Sequence, residues 1–329
     1  MLRLFPIVAA FLLSPLTAFA QCAGVNLVDA LSEPDRAALT TATAAQPYAT
    51  GNLWRATKDG AQVTMIGTYH YGDPRHDATM ATITPMIESA RLVLVEAGPD
   101  EEAALKKAIT DDPGLMLITE GPSLLEQLSP TEWNQLSAAM TARSIPPFMA
   151  AKFKPWYVSI MLGMPTCAMD LAMMEQGLDK RVMEKAASIN LPVRALEPFD
   201  TLFNMFGKLS IEDQLNMIRS TLIFEDQAED ISFTLAEAYF AEDSRSMWEY
   251  MRTLSRDVPG YTPERADAEF ARLEEVLMNA RNRNWIPVIE SAAAEGPVFV
   301  AFGALHLSGE QGVLNLLDQA GWKLERLPL

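Results

Sequence analysis

Hydrophobic and polar positions change period several times along the chain, and each change marks an element. Gln62 to Ile66 is an apolar run in the style of a buried strand, and Asn52 to Ala56 before it reads as an edge strand. Asp59-Gly60 between them is a turn pair, so the two runs predict a hairpin. Thr79 to Ala90 has helical spacing, and Arg91 to Val95 is again an apolar strand, followed by Glu96. The next strand pattern is Pro192 to Leu196, ending at Glu197, and the next after it is Val298 to Phe302. A helix over 311–320, a stop at Gly321 and a last strand over 323–327 close the chain. Short helices are expected at 25–31 and 33–45. Helical patterns fill about 100–190 and 200–294 and predict a large helical insertion between strands. Ordinary helical core packing is the preferred reading of the many methionines there, over an adaptable binding groove.

This order predicts an α/β fold with a split or mixed central β-sheet of two loosely similar halves. The second strand, the loop after it, the helix and the strand ending at Glu96 form one βαβ unit. If its two strands are adjacent and parallel, residues at their carboxyl ends emerge on one edge of the sheet, where open α/β sheets hold their ligands.

The similarity of the halves rests on Gly67-Thr68-Tyr69-His70 and Gly303-Ala304-Leu305-His306. Both are G-x-x-H at a strand exit, and they use two of the three histidines in the chain. His70, His306 and Glu96 on one crevice are a credible divalent cation set, with imidazole and carboxylate donors and open positions for water and substrate. Arg281 beside them is suited to holding an anionic substrate group or the charge of a tetrahedral intermediate. Two other readings stay open: a histidine as general base with the glutamate orienting water, and histidines that merely hydrogen-bond loop backbone. His76, in a polar loop, is expected at the surface.

Composition narrows the classes. The chain has 329 residues, 49% of them hydrophobic, and a net charge of −17. That is a globular composition, large enough for a sizeable core, and its anionic surface argues against nucleic acid and anionic lipid. Arg3, the apolar run Leu4 to Leu13 and Ala18-Phe19-Ala20 read as a signal peptide over 1–20, leaving one domain over 21–329. The expected location is periplasmic or secreted, with no integral membrane segment after cleavage. The only cysteines, Cys22 and Cys167, are expected to pair in such a compartment.

The set Gly67-Thr68-Tyr69-His70, Glu96, Gly177-Leu178-Asp179, Leu196-Glu197, Arg281-Asn282 and Gly303-Ala304-Leu305-His306 with Gly309 and Gly312 resembles the TraB/PrgY/GumN family, its GumN-like exported branch above all. That family is similar to the Tiki metalloproteases and, more remotely, to ChaN-like and erythromycin-esterase-like folds. The resemblance implies a metal site of His70, Glu96 and His306 (Mn, Co or Zn) with Arg281 as a functional neighbour. Tyr69 and Ala304-Leu305 depart from the common motif without removing a ligand. The leading expectation is a metal-dependent, peptidase-like hydrolase acting on a peptide or small-molecule substrate. The competing class is a non-catalytic module that sequesters a peptide or signal in the same crevice.

Overall fold

The computed structural model describes residues 22–169 and 176–329. The proposed signal peptide, Met173 and Met174 lie outside them. Six strands form a single mixed sheet: β1 (Leu53–Lys58), β2 (Ala61–Thr68), β3 (Leu92–Val95), β4 (Val193–Ala195), β5 (Val298–Gly303) and β6 (Lys323–Arg326), in the order β4-β3-β5-β2-β1-β6. The sheet is therefore mixed and not split into halves.

The β1–β2 hairpin forms as expected, with Lys58 opposite Ala61. Asp59 and Gly60 both take positive φ, 50° and 86°, the geometry of a tight two-residue turn that suits strand twist. β1 is not an edge strand, because β6 pairs antiparallel with its other side. β2 and β3 are not adjacent either. β5 lies between them and is parallel to both. This late strand completes the crevice: Thr68 of β2 is level with Gly303, and Val95 of β3 is level with Ala301. The carboxyl ends of β2, β5 and β3 thus emerge side by side.

Alternation along β5 feeds two cores. Val300 and Phe302 join Met65 and Leu94 under Trp285 and Ile289 of the helix Ala280–Ala293. Phe299 and Ala301 join Ile66, Val93 and Val95 on the other face, under Ile83 and Ile87, Val182 and Ala186, and Tyr239. Helices occupy most of the chain from Pro99 to Ser188 between β3 and β4, and from Thr201 to Ala293 between β4 and β5. Those between β3 and β4 share a third core with the helix Ile211–Ile223, around Leu136, Val158, Leu215 and Ile218. Met140 and Met161 are buried there, as packing predicts, whereas Met149 is exposed.

Three further expectations change. Residues 25–31 make turns and bends without a helix, since their backbone is tied elsewhere: Val25 N–H donates to Asp230 and Leu27 N–H to Thr234. The C-terminal helix spans only Val313–Gln319. His76 is fully buried beneath Phe240 and Tyr239, because the loop over 71–75 turns it inward at the start of the helix His76–Ser89. Cys22 and Cys167 form a disulfide, with Cα atoms 5.3 Å apart.

Candidate active site

Each residue singled out in the crevice is delivered by a strand exit or a helix start. Glu96 follows β3, Glu197 lies two residues beyond β4, and Arg281 and Asn282 open the helix Ala280–Ala293. The two glycines that begin the G-x-x-H motifs do different work. A Cβ on Gly67 would stand 2.7 Å from Leu307 Cδ1 and 2.8 Å from Ala304 Cα, so its absence lets the two strand exits abut. A Cβ on Gly303 would stand 3.3 Å from Glu96 Oε1, 3.5 Å from His70 Nε2 and 3.7 Å from His306 Cδ2. The space left by that missing methyl is the point on which His70, Glu96 and His306 converge.

A third glycine brings in a residue with no role assigned from sequence. A Cβ on Gly177 would be 2.2 Å from His70 O, so only glycine allows this close approach. Leu178 N–H then donates to Tyr69 O, and the first turn of the helix Leu178–Ser188 presents Asp179 Oδ1 3.4 Å from His70 Nδ1. That distance is an ion-pair contact, long for a hydrogen bond. Burial lowers the His70 pKa, but Asp179 and Glu96 outweigh it and raise the value to about 9. Solvent still reaches the ring, which is 61% exposed within dense surroundings.

Glu96 is fixed at both oxygens. Oε1 accepts from Gly303 N–H at 2.6 Å and Oε2 from Arg281 Nη2 at 2.6 Å. Burial opposes its charge, yet the His306, Arg281 and His70 rings and guanidinium prevail and hold it at about 2. At neutral pH, Arg281 and His70 supply that positive charge. His306 is nearly closed off from solvent, and burial pushes it down to about 3, so its ring is neutral.

Arg281 uses all five of its N–H groups. Nε and Nη2 form a fork on Glu197, at 2.9 and 2.6 Å. Nη2 also reaches Glu96, and Nη1 donates to Leu277 O and His306 Nε2, both at 3.2 Å. Its charge is reinforced by the two carboxylates, which raise its pKa against the effect of burial. Glu197, noted in the sequence only as a carboxylate at a strand exit, is thus the main partner of Arg281. Trp285 Nε1–H donates to the same carboxylate at 2.9 Å.

As donors for a cation, His70 Nε2 and Glu96 Oε1 border the gap beside Gly303, and no described residue hydrogen-bonds to that Nε2. His306 shows the gap its Cδ2, while its Nε2 faces Arg281. Among the described residues, no three His, Cys, Asp or Glu side chains are grouped as a cation site. Glu96 fits such an ion in donor chemistry, His70 fits once its Nε2 has released the proton that a pKa of about 9 keeps on the ring at neutral pH, and His306 fits only where Arg281 gives up its Nε2.

Fold and crevice together define a mixed-sheet α/β protein whose histidine–carboxylate cluster lies at the carboxyl ends of three adjacent strands. The TraB/PrgY/gumN family profile matches residues 52–326, and the chain belongs to that family. No curated protein matches the chain at a significant level. Among the described residues, no helix is long and apolar enough to cross a membrane.

Proposed function

We propose that this crevice is the active site of a hydrolase that directs water at a peptide bond, assisted by a divalent cation (Mn, Co or Zn). The observation that carries the proposal is the gap beside Gly303, bordered by His70 Nε2 and Glu96 Oε1. The peptide bond is chosen on the resemblance to the Tiki metalloproteases.

Relative pKa values favour a cation. A carboxylate held at about 2 is too weak a base to take a proton from ordinary water. A divalent cation supplies Lewis acidity, bringing the pKa of its bound water down to about 7 in favourable sites. In this reading His70 Nε2, once deprotonated, and Glu96 would hold the ion, and His306 would be a further donor only where Arg281 leaves its Nε2 free. Asp179 behind His70 Nδ1 is the kind of carboxylate that orients a metal-binding imidazole. Glu96 Oε1 accepts a hydrogen bond from the water and takes its proton as the water oxygen adds to the scissile carbonyl carbon. The C–N bond then breaks, and the proton passes to the leaving nitrogen. Arg281, with every N–H engaged, acts through Glu96 by fixing its position and charge. While that network is intact it does not itself contact the oxyanion.

Export to the periplasm or medium belongs to the same reading, and the disulfide supports it. The test is digestion of a peptide library by the mature protein with Mn, Co or Zn added, followed by mass spectrometry beside Glu96→Gln. Cleavage by the parent and none by the variant supports the proposal. Saturable peptide binding without cleavage overturns it and establishes the sequestering module in its place.

A further inference from the structure

The imidazole of His306 is gripped edge-on by two consecutive residues. Arg281 Nη1 lies at its Nε2, and Asn282 Oδ1 lies 2.6 Å from its Nδ1. Consecutive residues of an α-helix point about 100° apart, so the helix start straddles the ring. A π-helical turn at Glu275–Asn279 immediately precedes it. Such turns often accompany functional sites.

The hydrogen bonds decide where the proton on His306 sits. Asn282 is 1% exposed, and its Nδ2 donates to Gln311 O at 2.8 Å. A carbonyl can only accept, so the amide nitrogen is on that side and its oxygen faces His306. An amide oxygen can only accept as well, so His306 Nδ1 carries the hydrogen. On the opposite side, a guanidinium can only donate, so Nε2 is bare. Two partners on opposite edges of the ring demand the same tautomer. The other tautomer would set N–H against N–H at Arg281, and lone pair against lone pair at Asn282.

We propose that Asn282 is a positioning residue: by accepting from Nδ1–H it makes His306 an acceptor, and so supplies a partner that Arg281 needs to hold Glu96. The same bare Nε2 is the atom through which His306 would join a cation. The catalytic consequence rests on the hydrolase reading above, whereas the tautomer does not.

The test is nitrogen-15 NMR of histidine-labelled protein. The chain has only three histidines, and one supplies an internal reference. His76 Nε2 lies 3.0 Å from Tyr71 O, so His76 should be the opposite, Nε2–H tautomer. A His76→Gln variant assigns its signals. The parent is expected to show His306 with hydrogen on Nδ1. Asn282→Leu leaves only the longer of the two contacts, Arg281 Nη1 at 3.2 Å, to hold the tautomer, so part of that hydrogen should move to Nε2 and kcat should fall at least ~10-fold with KM little changed, the scale of losing a partner behind a metal-binding imidazole. Asn282→Asp keeps the acceptor and should retain the tautomer and most of kcat. The proposal is overturned by hydrogen on Nε2 of His306 in the parent, or by an unchanged tautomer in a folded Asn282→Leu. It is equally overturned if that variant changes tautomer but keeps full kcat. A parent that hydrolyses nothing sinks the hydrolase reading alone, since the spectra still decide whether Asn282 sets the tautomer.

Discussion

Arg281 Nη2 stands 2.6 Å from Glu96 Oε2 and, at the same time, 2.6 Å from Glu197 Oε1. One guanidinium hydrogen-bonds the carboxylates that follow two different strands, so the crevice has a single electrostatic centre. The arrangement places its rigidity at Arg281 and its open face at His70.

Replacing Arg281 with Met should leave two largely buried carboxylates without the guanidinium they share, with only His70 left as a counter-charge to Glu96. Breaking a buried pair by removing one partner costs about 3–5 kcal/mol, and the lower end applies here because Glu96 keeps 21% exposure. Arg281→Lys should recover little of this, since one ammonium cannot reproduce the fork on Glu197. Urea unfolding of the three proteins measures it. Full stability in Arg281→Lys would contradict the assignment of all five N–H groups.

Gly303→Ala should separate site from fold. Gly303 has φ −51° and ψ 136°, a backbone that alanine adopts without strain. Its new methyl would meet Glu96 Oε1 at 3.3 Å and the two imidazoles at ordinary contact distance, filling the space assigned to the cation and its water. Hydrolysis should fall by about 100-fold or more, as when reacting groups are displaced by an ångström, while thermal unfolding shifts little. An active Gly303→Ala would place the chemistry elsewhere.

Acid should weaken the protein partly through His76. Burial lowers its pKa against the opposing effect of Tyr71 O, and its Nδ1 has no hydrogen-bond partner among the described residues. A folded-state pKa below the unfolded value of 6.5 means that the unfolded chain binds the proton more readily. The contribution is therefore intact above 6.5 and is lost as pH falls below it, by up to about 1.4 kcal/mol for each unit of pKa difference. Unfolding free energies of the parent and His76→Gln, compared between neutral pH and mild acid, should converge as pH falls. Parallel curves would show that His76 is not buried as a neutral ring.

Loss of the disulfide should destabilise the chain by about 2–4 kcal/mol, since it cross-links residues 145 apart in sequence. Cys22→Ser should also free the segment that bonds through Val25 and Leu27 to Asp230 and Thr234. Denaturation with and without reductant checks the first effect, and amide exchange at residues 25–27 the second. Equal stability and equal exchange would leave the cross-link without a structural role.

Much of this site was legible because its residues sit where one-dimensional pattern changes. Apolar runs ending at Gly67, Glu96 and Gly303 marked the strand exits, and the scarcity of histidine drew attention to His70 and His306. Strand order was not legible. Nothing local in Val298–Gly303 says that it inserts between β2 and β3, because that choice is made by tertiary packing of two apolar faces. Glu197 was visible as a carboxylate at a strand exit and as a motif member, and Asp179 only as a motif member. Their partners lie 84 and 109 positions away along the chain, at Arg281 and His70, which short-range spacing cannot reveal. His76 was misplaced because its neighbours Asp73, Pro74 and Arg75 look like surface loop, whereas Arg75 pairs with Asp73 and Glu237 and covers Phe240.

The most direct measurement of the central claim is titration calorimetry of Mn, Co and Zn ions into the mature protein, beside His70→Ala and Gly303→Ala. One ion bound per parent chain, with none bound by either variant, is the predicted result and locates the cation in the gap between His70 and Glu96. Equal binding by all three proteins, or no binding by any of them, would contradict the account and leave the crevice without the Lewis acid its chemistry requires.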